Sequence, residues 1–151
     1  MTERQQVETT DTGLEIHLAQ AQAVLAAQPF SVHLGARLVA FSRDGAVLHL
    51  PVRAELHQQH GFVHGGVLSY LVDNAITFAA GAVLGPDVVT GGFSIDYLRP
   101  ATGSLLTAEA RTVRAGAQQA VVRCEVMDHQ DDESRLCAIG QGRVLRRATE
   151  G

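Results

Sequence analysis

Positive charge is in short supply along this chain. Its 12 basic residues stand against 16 acidic ones, for a formal net charge of -4. A nucleic-acid binder normally presents a basic face, so that class is excluded. Cysteine is scarce as well. Cys124 and Cys137 show neither metal-type nor redox-type spacing, which argues against a zinc module or a dithiol centre. They are expected in neighbouring strands as reduced, buried thiols. No stretch of about 18 or more apolar residues runs without polar interruption, so no membrane span is expected. The N-terminal MTERQQVETTDTG has no apolar signal core, and the expected location is cytoplasmic. Internal repeats and low-complexity tracts are missing too.

What is present is enough for a core. Apolar residues make up 46% of 151, which suits one globular domain. The expected organisation is a disordered N-terminus over 1–11 and a single domain over 12–147. Leu14, Leu18, Ala21 and Leu25 share a face, predicting a helix over 12–27 that stops before Pro29. Ser31–Arg43 and Ala46–Arg53 read as two strands joined by Asp44-Gly45. A long apolar helix follows over 65–84, closed by Gly85-Pro86. Four runs with a period of two come next: Val88–Arg99, Leu105–Arg114, Ala120–Met127 and Arg135–Arg146. Turn-like segments separate them. This order predicts an α+β fold, a curved antiparallel sheet wrapped around one buried helix.

That helix is apolar on nearly every side except for one stripe at four-residue spacing: Ser69, Asp73 and Thr77, bounded by Gly65 and Gly81. An acid in such a helix is costly unless it has a use, so Asp73 is the first functional candidate. Its alternative role, pairing with an arginine, finds no cation among the nearby helix residues. At the helix start, unpaired N–H groups and the positive end of the dipole suit a carbonyl oxygen that gains negative charge. Gly65-Gly66 lets an acceptor come close, or else simply allows a tight turn or close packing. Asp73 lies eight residues on, roughly 12 Å along the helix. A reacting carbonyl needs both groups within about 3 Å. A two-fold dimer, with Gly65 of one subunit facing Asp73 of the other, resolves this and makes two sites per dimer.

The Thr77 hydroxyl can donate to the carboxylate, position a water, or bond the carbonyl four residues back; Ser69 has the same options. The Gln58 amide can orient a water or the carbonyl, or simply be a loop residue. His57, His60 and His64 suggest a metal site, but the glycines around them break a helix and no Cys or carboxylate completes a ligand set. No metal or cofactor is expected. His64 is read chiefly as shaping the loop, with a catalytic role as a secondary candidate.

The segment His60-Gly-Phe-Val-His-Gly-Gly-Val-Leu-Ser-Tyr-Leu-Val-Asp-Asn-Ala75 resembles the signature of hotdog-fold acyl-CoA thioesterases of the phenylacetate-pathway type, and the likeness extends over about residues 30–147. Ser94-Ile-Asp-Tyr-Leu-Arg-Pro-Ala101 is similar to a strand of that family ending in Arg-Pro. The resemblance implies that the Gly65 N–H polarises a thioester carbonyl. It also implies that Asp73 of the partner subunit is nucleophile or general base, and that Thr90 matches a serine that helps hold the water. Many members carry Asn at the place of Gln58. A branch of hydroxybenzoyl-CoA thioesterases has Gln there and Thr at the place of Thr77, but Glu at the place of Asp73. The chain combines the two patterns, so direct attack and water activation both stay open. Coenzyme A binding along the dimer surface is implied for the turn holding Arg114, Gly116 and Gln118, with Arg146 and Arg147 as further phosphate candidates. The implied partners are an acyl-CoA substrate and a second copy of the chain, as a dimer or a dimer of dimers. Two other readings are an acyl-CoA binding or sensing module without turnover, and a dehydratase in which a histidine moves the proton. No separate DNA-binding unit is evident for the first, and His64 lacks an acidic partner for the second.

Overall fold

The computed structural model describes residues 11–148. Most of the segment 1–11, expected to be disordered, lies outside the described residues; Asp11 opens helix α1 (Asp11–Ala26). The inner face of α1 buries Ala21 and Leu25, and Gln22 Nε2 donates to the Leu38 carbonyl at 2.9 Å, fixing the helix to the first strand.

The expected strand over Ser31–Arg43 is divided. Its first part is a short helix, α2 (Pro29–Leu34), and only β1 (Arg37–Ser42) is extended. Proline opens α2, where its missing N–H costs nothing. Gly35 closes it at φ 83°, ψ 24°, with its N–H bonded to the Ser31 and Val32 carbonyls, a left-handed cap that favours glycine. Arg53 Nη1 donates to the Leu34 carbonyl at 2.7 Å and completes that end.

The remaining elements are β2 (Gly45–Pro51), a single 3-10 turn over Ala54–Leu56, α3 (Gly65–Leu84), β3 (Val88–Tyr97), β4 (Leu105–Ala115), β5 (Gln119–Gln130) and β6 (Glu133–Arg146). The six strands form one antiparallel sheet in the order β1-β2-β4-β5-β6-β3. Alternate residues of β2, β4 and β5 are buried: Leu48 and Leu50, Leu106 and Ala108, Val122 and Val126. Helix α3 lies across this face and buries Leu71, Val72, Ala75, Ile76 and Ala79 there. Together the helix and the curved sheet form a hotdog fold.

The helix packs tightly onto two glycines of β6. A Cβ on Gly140 would fall 2.4 Å from Val72 Cγ1, and one on Gly142 would fall 2.6 Å from Ile76 Cδ1. These two glycines let helix and sheet meet with no side chain between them. By length and composition α3 alone among the described residues passes for a membrane span, yet it is the central core helix.

Cys124 on β5 and Cys137 on β6 are free, buried thiols in neighbouring strands, as expected. Burial pushes Cys124 up to about 12 and Cys137 to about 11, so both stay protonated and unreactive near neutral pH.

Candidate active site

Three residues of α3 decide the start of the helix. His64 is the N-cap, and its Nδ1 accepts the Gly66 N–H at 2.8 Å. The His64 carbonyl takes the Val67 N–H at 2.9 Å. The first N–H of the helix, on Gly65, enters none of the described hydrogen bonds, so it stays available at the positive end of the dipole. Both glycines also have packing reasons. A Cβ on Gly66 would crowd His64 Nδ1 at 2.9 Å, and one on Gly65 would meet the Tyr97 ring at 3.3 Å. A ring nitrogen that accepts a hydrogen bond carries no proton, so Nδ1 of His64 is committed to the cap.

Gln58 holds the loop in front of this helix. Its Oε1 accepts the His60 N–H and, at 3.4 Å, the Phe62 N–H. Because both partners are donors, the amide orientation is fixed and Nε2 is left as the free end. Gln58 and Gly65 line one cavity of about 360 Å³ together with Leu68, Tyr97 and Leu98. The two groups left uncommitted there, the Gly65 N–H and Gln58 Nε2, are both donors.

One further residue there has no precedent in the sequence reading. Tyr97, at the end of β3, places its hydroxyl 2.7 Å from Ser69 Oγ and donates to the Gly65 carbonyl at 3.1 Å. It closes over the helix start, and a Cβ at Gly65 would need its ring to give by only a few tenths of an ångström. The contact joins positions 32 residues apart, so no local pattern reveals it.

The middle of α3 carries the complementary chemistry. Thr90 Oγ1 donates to Asp73 Oδ1 at 2.6 Å and lies 2.8 Å from Thr77 Oγ1. Thr77 Oγ1 donates to the Asp73 main-chain carbonyl at 2.7 Å. Thr77 therefore bonds four residues back, as hydroxyls in helices often do, and reaches the carboxylate only through Thr90. Two hydroxyl protons cannot serve all three contacts at once, so the Thr77–Thr90 contact forms only when one of the other two donations is given up. Asp73 Oδ2 enters none of the described hydrogen bonds. A register shift between Thr90 and Gly92, opposite Val144 and Arg143, places a bulge beside Thr90, a device that re-aims a strand side chain.

Asp73 is half-buried in the protomer rather than enclosed, as are Ser69 and Thr77. The polar stripe looks away from the sheet, which is why a helix so apolar in sequence still has an open side. Thr77 also lines a second cavity, of about 410 Å³, between α1 and α3; Ala21, Val24, Phe41, Phe78 and Val88 are among its apolar walls. The two cavities share no residue: one borders the start of α3 and the other its second half.

The turn holding Arg114, Gly116 and Gln118 is exposed and borders neither cavity within the protomer. Arg146 donates to the Leu84 carbonyl through Nε at 3.0 Å and Nη2 at 2.6 Å, capping α3. Arg147 pairs with Asp87 at 3.4 Å. These two cations are engaged in holding the end of the helix, which sets them apart from Arg114. Among the described residues no group of three or more His, Cys, Asp or Glu is placed to hold a metal ion, and His57, His60 and His64 do not converge.

Comparison with known proteins gives this arrangement a family. Residues 60–134 match the family model described as the thioesterase superfamily. The chain is 33% identical to the acyl-coenzyme A thioesterase PaaI of Escherichia coli, over 64% of this chain and 69% of that one. It is 29% identical to the 1,4-dihydroxy-2-naphthoyl-CoA hydrolase of Listeria monocytogenes, over 69% of this chain and 85% of that one. A thioesterase family protein from Silicibacter pomeroyi superposes with a TM-score of 0.81 at 28% identity, covering 85% of this chain and 96% of that one. Sequence and fold agree: the chain belongs to the thioesterase superfamily, and its activity class is thioester hydrolysis.

Proposed function

We propose that the chain hydrolyses an acyl-CoA thioester, aryl or medium-chain, to the free acid and coenzyme A. One observation carries this reading. Asp73 is held by Thr90 with its second oxygen uncommitted, on the same helix as a free N–H donor at Gly65. The carbonyl oxygen accepts the Gly65 N–H, with Gln58 Nε2 as a second donor at that end. Asp73 takes a proton from water while the water oxygen bonds to the carbonyl carbon. Negative charge collects on the oxygen at Gly65 and is stabilised there. When the oxyanion collapses, the carbon–sulfur bond breaks and the thiolate leaves with that proton. Direct attack by Asp73 Oδ2 on the same carbon is the variant route, through a mixed anhydride that water then cleaves.

Donors and acid are separated by eight residues of one helix, roughly 12 Å, so the site is completed by a second copy of the chain. Strand β3 supports this reading. It is an edge strand, and Val89, Phe93 and Leu98 are 49%, 36% and 50% exposed along and just beyond it. Unpaired edges with apolar side chains are templates for a partner strand, and two-fold pairing there brings each Asp73 stripe toward the other subunit's helix start. Arg114, Gly116 and Gln118 are assigned to the coenzyme A phosphates, with Gly116 permitting close approach.

Thiol release from a panel of aryl and straight-chain CoA esters tests the reading. The wild-type protein is expected to turn over at least one of them, and Asp73→Ala to lose about 10²–10⁴-fold. A folded, oligomeric Asp73→Ala protein working at the wild-type rate contradicts it.

A further inference from the structure

Beside the Asp73 cluster, on the neighbouring line of α3, lies a second polar network that the hydrolytic step does not use. Tyr70 Oη donates to Ser31 Oγ at 2.6 Å, and Ser31 Oγ donates to Gln28 Oε1 at 2.6 Å. Asn74 Nδ2 donates to Tyr70 Oη at 2.9 Å and approaches Gln28 Oε1 and Ser31 Oγ at 3.3 Å. Ser31 is 2% exposed, and the Phe30 ring packs edge-on against Tyr70 with centroids 5.5 Å apart. Burial raises the Tyr70 phenol, only partly offset by its bonds to Ser31 and Asn74, so it keeps its proton as a donor.

Each hydroxyl has one proton, and the chain of donors fixes where each goes. Tyr70 gives its proton to Ser31, and Ser31 gives its own to Gln28. The Gln28 carbonyl must then face Ser31, which turns its NH2 the other way. The Asn74 NH2 must face Tyr70, which turns its carbonyl the other way. Neither Gln28 Nε2 nor Asn74 Oδ1 enters any of the described hydrogen bonds. Both residues line the cavity of about 410 Å³ between α1 and α3. A donor and an acceptor are therefore held, with their orientation set, in an otherwise mainly apolar chamber that Thr77, one turn from Asp73, also lines.

We infer that Gln28 and Asn74 determine specificity, selecting an acyl group that carries a hydroxyl, which accepts from Gln28 Nε2 and donates to Asn74 Oδ1. A plain hydrocarbon in the same place leaves both groups desolvated and unpaired, and that penalty is the source of discrimination. Ser31 and Tyr70 are positioning residues that hold the pair in register. The inference rests on the thioesterase reading above and extends it by placing the acyl group in this cavity.

The test compares matched CoA esters differing by one hydroxyl: benzoyl against its 3- and 4-hydroxy forms, and octanoyl against 8-hydroxyoctanoyl. With the wild-type protein, kcat/KM for at least one hydroxylated ester is expected to exceed its parent by about 10-fold or more. Gln28→Met and Asn74→Leu are expected to reduce that ratio toward one, chiefly by slowing the hydroxylated ester. Gln28→Met is conservative in shape at the end of α1, so it remains informative if Asn74→Leu does not fold. A wild-type ratio within about 2-fold for every pair overturns the inference, as does an unchanged ratio in either folded variant. If no ester releases thiol, the hydrolytic reading fails instead, and equilibrium binding of the same pairs, read by the same ratios, decides whether Gln28 and Asn74 recognise the hydroxyl.

Discussion

The first turn of α3 and its middle differ in what they present, although they lie on one stripe of one helix. The first turn leaves donors uncommitted. The Gly65 N–H enters none of the described hydrogen bonds, while His64 takes the Gly66 N–H beside it, and the Gln58 amide turns its NH2 outward because its carbonyl holds the loop. The middle presents an acceptor, Asp73 Oδ2, steadied from one side by Thr90 and indirectly by Thr77. One end can stabilise an oxyanion and the other can remove a proton, but neither can do both. A helix is rigid, so the roughly 12 Å between them cannot be closed by side-chain motion. Under the mechanism proposed above, the protomer is two half-sites and catalysis belongs to the pair of chains.

Breaking the middle is expected to cost most. Asp73→Asn keeps the shape and the Thr90 contact but removes the base, and turnover should fall by about 10²–10⁴-fold. Steady-state thiol release checks this. Breaking the first turn comes next. Gly65→Pro deletes the N–H at a position where proline suits the helix start, and His64 before it is already extended at φ -60°, ψ 135°. A loss of about 10²–10³ in kcat is expected, with a smaller change in KM. Steady-state kinetics on folded protein separates the two parameters.

Smaller changes sharpen the contrast. Thr90→Ala removes the direct bond to the carboxylate and should lower kcat by roughly 10-fold, while Thr77→Val, one contact removed, should cost less. Thr90→Ser should recover most of the loss, and the opposite ranking would place Thr77 in direct contact with the reacting atoms. His64→Ala should act on stability first. It leaves the Gly66 N–H without its acceptor and should lower unfolding free energy by about 1 kcal/mol, with His64→Asn restoring the cap. Denaturant unfolding of the three proteins measures this.

Much of this was written locally in the chain. The helix over 65–84 and its stripe follow from four-residue spacing, and five of the six strands follow from alternation bounded by turns. The Ser31–Arg43 segment was misleading because six residues of helix are too few to show a period. Its true markers, Pro29 at the start and Gly35 in the left-handed region, are single residues, and Val32 pulls the reading toward a strand. The polar stripe was legible at Asp73 and Thr77 because a helix keeps its own register. Thr90 reaches Asp73 only through a bulge in β3, and its part came from family likeness rather than from spacing. Tyr97 and the Gln28–Ser31–Tyr70–Asn74 network depend on contacts between distant segments, which spacing along one element cannot display.

Subunit mixing addresses the two half-sites directly. Asp73→Asn and Gly65→Pro proteins, each nearly inactive alone, are co-expressed with different tags, and the hybrid is isolated by sequential affinity steps. If Gly65 of one chain works with Asp73 of the other, each hybrid dimer holds one intact site and one doubly damaged site. Its activity per dimer should then be about half that of the wild type. Hybrid dimers as inactive as either parent would place donor and acid in the same chain and contradict the account.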